Sequence, residues 1–360
     1  IATTKEVNGK LQKGFKLYVG GGLGAVPHQA QLYSEFLPVE ELLPLSQAIA
    51  RVFARIGEKK NRNRARIKFM IAKLGIEEFK KLVEEERKIL PHDDRWTSYL
   101  DRVDSIQETA LKKPTETTFG KTNDSFSEWV DTNIYQQRQS GYVTATVALP
   151  LGDITSCQMR DLAELSRKYV KETIRTTVEQ NIVMRWVSKS DISALYQDLQ
   201  TIGLAEPGAG TIVDITSCPG TDTCKLGISS SRGLTAQLRK DLAEKSLNLD
   251  EAVKELRIKI SGCFNSCGQH HAADIGFYGN SRKINGITVP HFQVVLGGQW
   301  KENVGSFGLA MGAVPAKKIP AVVERLSERF IKEREKDEPF TNYVQRIGKR
   351  ELKKMLDDLT

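Results

Sequence analysis

Apolar positions along this chain recur at two periods, 3.6 and 2, and the switches between them mark out its elements. Leu42, Leu45, Ile49, Val52, Phe53 and Ile56 share one helical face, as do Ile319, Val322, Val323, Leu326 and Phe330. Residues 38–57, 63–74 and 76–88 read as three helices, the last ending in EEERK before Leu90-Pro91. Residues 90–135 hold no sustained period and many Thr, Ser, Asp and Asn, so they read as a connector. From Gly141 the pattern turns regular. GYVTATVALP predicts a strand, and residues 157–170 a helix whose free N–H groups Thr155-Ser156 can cap. IRTTV and NIVMRWV predict two β-branched strands, and DISALYQDLQTIG a second helix. This βαββα order predicts a ferredoxin-like half-unit. Beyond it, TIVDI (211–215), LRIKISG (256–262), ADIGFYG and FQVVLGG read as strands, and KRELKKMLDDL as a surface helix or loose tail.

The pattern repeats. FKLYVGG (15–21) lines up with FQVVLGG (292–298), each is followed by the word GAVP (24–27 and 312–315), and each GAVP by an amphipathic helix. Roughly 150 residues of folded-looking sequence precede the second copy and 14 the first. The expectation is a pseudo-twofold protein whose first repeat is truncated, with a site where the halves meet. The start at Ile1 points the same way, to a processed or incomplete product.

Composition narrows the class without naming it. The 360 residues, 39% hydrophobic and 27% charged, describe a globular chain of two or three domains. It shows no apolar run of membrane-spanning length and no signal segment. Five cysteines are too few for a disulfide scaffold and fit a reducing, cytoplasmic setting. The net charge, 53 − 45 = +8, suits anionic substrates or an acidic partner. No basic stripe interleaved with aromatics points to nucleic acid, and EKKNRNRARIK (58–68) reads by default as a solvated face.

Four of the cysteines stand in two tight pairs, TSCPGTDTC (216–224) and ISGCFNSCGQHH (260–271). Four thiolates on two short loops are the usual ligands of a cubane iron–sulfur cluster. Structural zinc would suit the Cys-x3-Cys pair but not the Cys-x5-Cys pair. Disulfides fit poorly with a reducing compartment, and inert buried cysteines with the surrounding turn residues. Cys157 lies alone. GGGLG (20–24) lacks the spacing of a dinucleotide loop, and His270-His271 reads first as polar packing near Cys267.

SGCFNSCGQHHAADIGFYG, with TSCPGTDTC upstream, resembles the siroheme-dependent nitrite and sulfite reductases, and YVGGGLG, NRNRARIKF and EQNIVMRW extend the likeness over nearly the whole chain. The resemblance implies an α+β fold: a pseudo-twofold repeat of ferredoxin-like half-units and α/β siroheme/iron–sulfur domains. It implies that Cys218, Cys224, Cys263 and Cys267 hold a [4Fe–4S] cluster and that Cys267 also bridges to the siroheme iron. Arg62 and Lys68 match basic positions facing the siroheme carboxylates, Gln180 and Asn181 a polar pair near the macrocycle, and Asn265 a position shaping the ligand loop or macrocycle edge.

The implied segments are 1–90 (end of the first repeat), 91–138 (linker), 139–207 (ferredoxin-like half-domain), 208–340 (second repeat with the cofactor motifs) and 341–360 (helix or tail). The implied chemistry is six-electron reduction of nitrite to ammonia or sulfite to sulfide, fed by ferredoxin or a similar donor, with no nucleic acid or membrane involved. NSCGQ leans slightly to nitrite. The family's substrate-gripping cations lie mainly in the half this chain lacks, which puts turnover by the isolated chain in question. The rivals are a cluster-bearing electron-transfer module without siroheme, and a zinc-stabilised binding module.

Overall fold

A computed structural model describes residues 1–103, 105–106, 108–115, 125–244, 250–299 and 305–359. The chain divides into two compact units, 1–107 and 108–360.

In the first unit, β1 (Ala2–Val7), β2 (Lys10–Val19) and β3 (Gln31–Pro38) form an antiparallel sheet. After it come α1 (Leu42–Ile56), α2 (Ile67–Leu74), α3 (Ile76–Ile89) and the short α4 (Leu100–Val103). The apolar faces of α1 and α3 supply Leu45, Ala48, Val52, Phe79 and Val83 to this unit's core. Residues 67–74 form the helix expected from Asn63, preceded by a separate 3-10 turn at Arg62–Arg64.

The second unit begins with a half-domain. In it α5 (Ser125–Asn133) precedes β4 (Ile134–Gln136), β5 (Tyr142–Val147), α6 (Ser156–Tyr169), β6 (Ile174–Thr176), β7 (Ile182–Ser188) and α7 (Ile192–Thr201). The sheet, ordered β4-β5-β7-β6, is antiparallel throughout. Thr155 caps α6 as its sequence suggests, and Gln158 completes a capping box with it. Helix α5 corrects the connector reading: Trp129 is fully buried in the half-domain core. The 116–124 stretch of that connector lies outside the described residues.

The larger domain carries β8 (Thr216–Ser217), α8 (Ser231–Ala243), α9 (Glu251–Lys254), β9 (Ile258–Ser261), β10 (Ile275–Ile284), β11 (Ile287–Leu296), β12 (Leu309–Pro315), α10 (Ile319–Glu333) and α11 (Phe340–Lys354). Its sheet runs β12-β11-β10-β9-β8, with β8 and β10 parallel to β9 and the other pairs antiparallel. TIVDI (211–215) is not a strand. It coils into a turn in which Asp214 accepts the Gly210 N–H at 2.8 Å, and strand pairing starts only at Thr216. The C-terminal stretch is not a loose tail either: Leu352, Leu356 and Leu359 are buried in the same core as Phe330 and Tyr343.

The repeat is real, although one of its words misaligns it. Equivalent features stand 277 positions apart: the Asn-Gly turns at 8–9 and 285–286, the prolines 38 and 315, and the starts of the 15-residue helices at 42 and 319. All four turn residues have positive φ (52° and 74°, 50° and 81°), as the tightest hairpin turns require. On this register GAVP (312–315), which closes β12, corresponds to EFLP (35–38). GAVP (24–27) lies in the loop between β2 and β3, so the repeated word is a coincidence.

A candidate iron–sulfur centre

Strand β9 alternates two environments that are both buried. Ile258 and Ile260 join the apolar core beneath the helices, while Lys259 and Ser261 face the other way at 5% and 1% exposure. At the ends of β8 and β9 the chain turns into the two cysteine loops. Cys218 follows β8 directly, and Cys263 lies two residues past β9.

The loops interlock through their backbones. Cys218 N–H donates to Ile260 O (3.1 Å), while Ile228 and Ser229 N–H donate to Gly262 O (2.8 and 3.1 Å). The Ser231 hydroxyl donates to Cys218 O (2.7 Å), and Gly262 N–H donates to Cys218 Sγ (3.1 Å). Such close approach leaves no room for side chains: a Cβ on Gly262 would lie 2.6 Å from Gly220 Cα, and one on Gly279 2.1 Å from Gly262 O. Ser266 takes a left-handed φ of 63°, so the Cys263–Cys267 loop doubles back tightly. The Ser261 hydroxyl accepts Gly268 N–H (3.1 Å) and pairs with His270 Nδ1 (2.9 Å), bracing the residue after Cys267.

All five cysteines are free. Cys263 is buried, Cys218 partly so, and Cys224 and Cys267 are exposed. Burial, then the neighbouring Cys218, Cys263 and Cys224, pushes the Cys267 thiol above its ordinary value. Four cysteine sulfurs on two interlocked loops are the usual donors of an iron–sulfur cluster, so the donor set fits one. Among the described residues, no three His, Cys, Asp or Glu side chains converge as the ligands of a single ion do.

Gln180 and Asn181 come together at the base of the Cys218 loop. Both amide ends of Gln180 engage the backbone of Ser217, Nε2 to O at 2.9 Å and Oε1 from N–H at 3.0 Å. Asn181, 2% exposed, accepts Leu149 N–H (2.9 Å) and donates to both oxygens of Asp214 (3.1 and 2.9 Å). In this structure the hydrogen bonds of both amides go to protein groups. Asn265 stands exposed at the tip of its loop.

Arg62 and Lys68 belong to the first unit. Arg62 is exposed in its 3-10 turn. Lys68 is 4% exposed and donates to the carbonyls of Leu23 and Val26 (both 2.7 Å) and Gly22 (3.4 Å). Its ammonium clamps the 22–26 stretch of the β2–β3 loop. Ser261 and Lys259, which donates to Gln269 Oε1 at 2.8 Å, were missed by the sequence reading. Their signal is polar residues alternating with isoleucine in a strand directly before a ligand loop.

Interlocked thiol loops beside a ferredoxin-like half-domain are the architecture of an iron–sulfur redox protein. The family described as nitrite and sulphite reductase 4Fe-4S domain matches residues 1–89 and 208–359, and the nitrite/sulfite reductase ferredoxin-like half domain matches 135–202. The chain therefore belongs to the nitrite and sulfite reductase family, whose members contain siroheme and a [4Fe–4S] cluster.

It is 27% identical over 347 residues to sulfite reductase [ferredoxin] 1 of Mycolicibacterium paratuberculosis, covering 94% of this chain and 57% of that one. It is 29% identical over 338 residues to the chloroplastic ferredoxin–nitrite reductase of Zea mays, covering 90% of this chain and 54% of that one. The solved structure of the Mycobacterium tuberculosis NirA protein superposes with a TM-score of 0.74 at 25% identity, covering 94% of this chain and 58% of that one. The chain thus spans a little over half the length of these relatives. Among the described residues no helix is long and apolar enough to cross a membrane.

Proposed function

We propose that this chain forms the cluster-bearing part of a siroheme and [4Fe–4S] reductase that converts nitrite to ammonia or sulfite to sulfide with electrons from ferredoxin or a similar donor. The observation that carries it is the set of four free thiols on two interlocked loops, Cys267 exposed at the end of one. Cys218, Cys224, Cys263 and Cys267 would hold the cluster, and Cys267 is the thiol that would also serve the siroheme. When bound, the paired cofactors supply single electrons and a metal site for the substrate's nitrogen or sulfur. The protein's part is to keep the sulfurs fixed. Gly262 N–H is aimed at Cys218 Sγ, Ser261 braces Gly268, and the glycines let the loop backbones approach closely. Hydrogen bonds to sulfur are one of the levers that set a cluster's potential.

The net charge of +8 suits an oxyanion substrate and an acidic donor. Arg62, exposed in the first unit, is the candidate for contact with a siroheme carboxylate. Five free cysteines suit a reducing compartment such as the cytoplasm.

An absorption spectrum read beside iron, sulfide and zinc analysis tests the reading. Siroheme bands with iron and sulfide support it; iron and sulfide without a tetrapyrrole leave an electron-transfer module, and a colourless zinc protein refutes it. Steady-state rates with nitrite and sulfite then assign the substrate, on which the names of the relatives divide.

A further inference from the structure

Strand β8 is the free edge of the five-stranded sheet, and only two residues long. Along a strand, the N–H and C=O of one residue point to the same side and those of the next to the other. Cys218 N–H points inward, to Ile260 O on β9. Ser217 N–H and C=O therefore point outward, where a sixth strand would lie. Ser217 is 2% exposed, so both groups need partners that water does not supply.

The side chain of Gln180 provides them. Its amide accepts from Ser217 N–H at 3.0 Å and donates to Ser217 O at 2.9 Å, the pair of bonds a neighbouring strand would make. Its own backbone is held firmly. Gln180 sits at the β6–β7 turn with φ at 68°, its N–H on Thr177 O (3.2 Å), and a Cβ on Gly152 would come within 3.2 Å of its Cβ. A non-glycine residue held left-handed is strained, and such strain persists where surrounding structure imposes it.

We propose that Gln180 is a positioning residue for Cys218. The ferredoxin-like half-domain completes the edge of the neighbouring sheet with one side-chain amide, and so fixes the first cluster ligand from outside the domain that holds all four. The consequence reaches sulfur in two steps. Ser217 fixes where Cys218 begins, and Cys218 Sγ must stay 3.1 Å from Gly262 N to keep that hydrogen bond. The inference rests on the assignment of the four cysteines to a cluster, and it adds a role for the half-domain that its sequence match does not describe.

The test compares Gln180→Ala and Gln180→Glu in the full chain, purified without oxygen. A packing role predicts that the isosteric Glu variant is the milder. The amide pairing predicts the reverse order, because a carboxylate keeps the acceptor for Ser217 N–H but sets a second oxygen against Ser217 O. The expected result at pH 8 is cluster bleaching by a chelator about tenfold faster for Gln180→Ala, the loss of roughly one net hydrogen bond, and faster still for Gln180→Glu. The electron paramagnetic resonance g values of the reduced cluster should shift in both. Val178→Ala, in the same turn and 61% exposed, should bleach like the unsubstituted protein. Unchanged bleaching and spectra in both Gln180 variants, or a milder Glu variant, would overturn the proposal. Should Gln180→Ala not fold, the Glu variant decides alone: bleaching at the unsubstituted rate refutes the pairing. Unsubstituted protein lacking iron and sulfide would instead remove the cluster assignment, and the proposal with it.

Discussion

Replacing Asn181 by alanine should unlock the seam between the half-domain and the turn that leads to Cys218. The substitution removes two donor contacts to the Asp214 carboxylate, at 2.9 and 3.1 Å, and the side-chain acceptor of Leu149 N–H, at 2.9 Å. Hydrogen bonds to a charged group are worth about 1.5–3 kcal/mol, and a buried N–H left without a partner costs about 1–3 kcal/mol. Together these give about 3–5 kcal/mol, which for a unit of this size lowers Tm by roughly 6–20 °C.

The pH dependence adds a second signature. Burial already raises Asp214 above the ordinary carboxylate value, opposed by the Gly210 N–H and by Asn181. Losing Asn181 raises it further. A carboxylate whose folded value is raised binds its proton more tightly folded than unfolded, so stability falls as pH rises through that value. The gap between Asn181→Ala and the unsubstituted protein should therefore be wide at pH 8 and narrow as the solution is acidified and Asp214 takes its proton. Scanning calorimetry at matched iron content measures both. A Tm loss below about 3 °C, or a gap independent of pH, would refute the reasoning.

Serine at Cys218, Cys224, Cys263 or Cys267 should each lower the iron content, whereas Cys157→Ser, at the exposed start of α6, should leave it at the value of the unsubstituted protein, about five per chain with cluster and siroheme both bound, by elemental analysis. In the first unit, Glu86 is 2% exposed and bound by Arg51 and Arg55, both at 2.6 Å and half exposed. Chemical denaturation should show Arg51→Ala/Arg55→Ala losing about 3–5 kcal/mol, by stranding a buried charge, while Glu86→Met costs little. Burial, then His271, holds the His270 imidazole down at about 3 against an ordinary 6.5. Its contribution is complete above 6.5 and is lost as pH falls toward 3, at about 1.4 kcal/mol per pH unit. His270→Gln should flatten the stability profile between pH 4 and 6, and an unchanged slope would count against the assignment.

What could be read from the sequence was whatever a local pattern fixes. The faces of α1 and α10, the Thr155 cap of α6 and the βαββα succession from Gly141 all follow from patterns within single elements. Readings failed where a backbone turn or a distant residue decides. TIVDI has the composition of a strand, yet Gly208 and Gly210 take left-handed φ and Asp214 ties the segment into a turn, so pairing waits for Thr216. KRELKKMLDDL looks like a solvated helix because its charges outnumber its leucines, yet those leucines are spaced to reach a core built from β10, β11 and α10. GAVP misled because a repeated word is a weaker sign of equivalence than a constant separation between turns, prolines and helix starts.

The site shows the same division. Cysteine spacing marks the ligands, since four thiols on two short loops have few other uses. Nothing local distinguishes an amide that meets a cofactor from one that meets a buried backbone edge. Gln180 meets the buried open side of the two-residue β8, while Asn181 meets Leu149 N–H and the Asp214 carboxylate. A short edge strand with no sixth neighbour among the described residues has to be completed from elsewhere, and that need, visible only once the sheet order is known, brings one side-chain amide of the half-domain onto Ser217, the residue before Cys218.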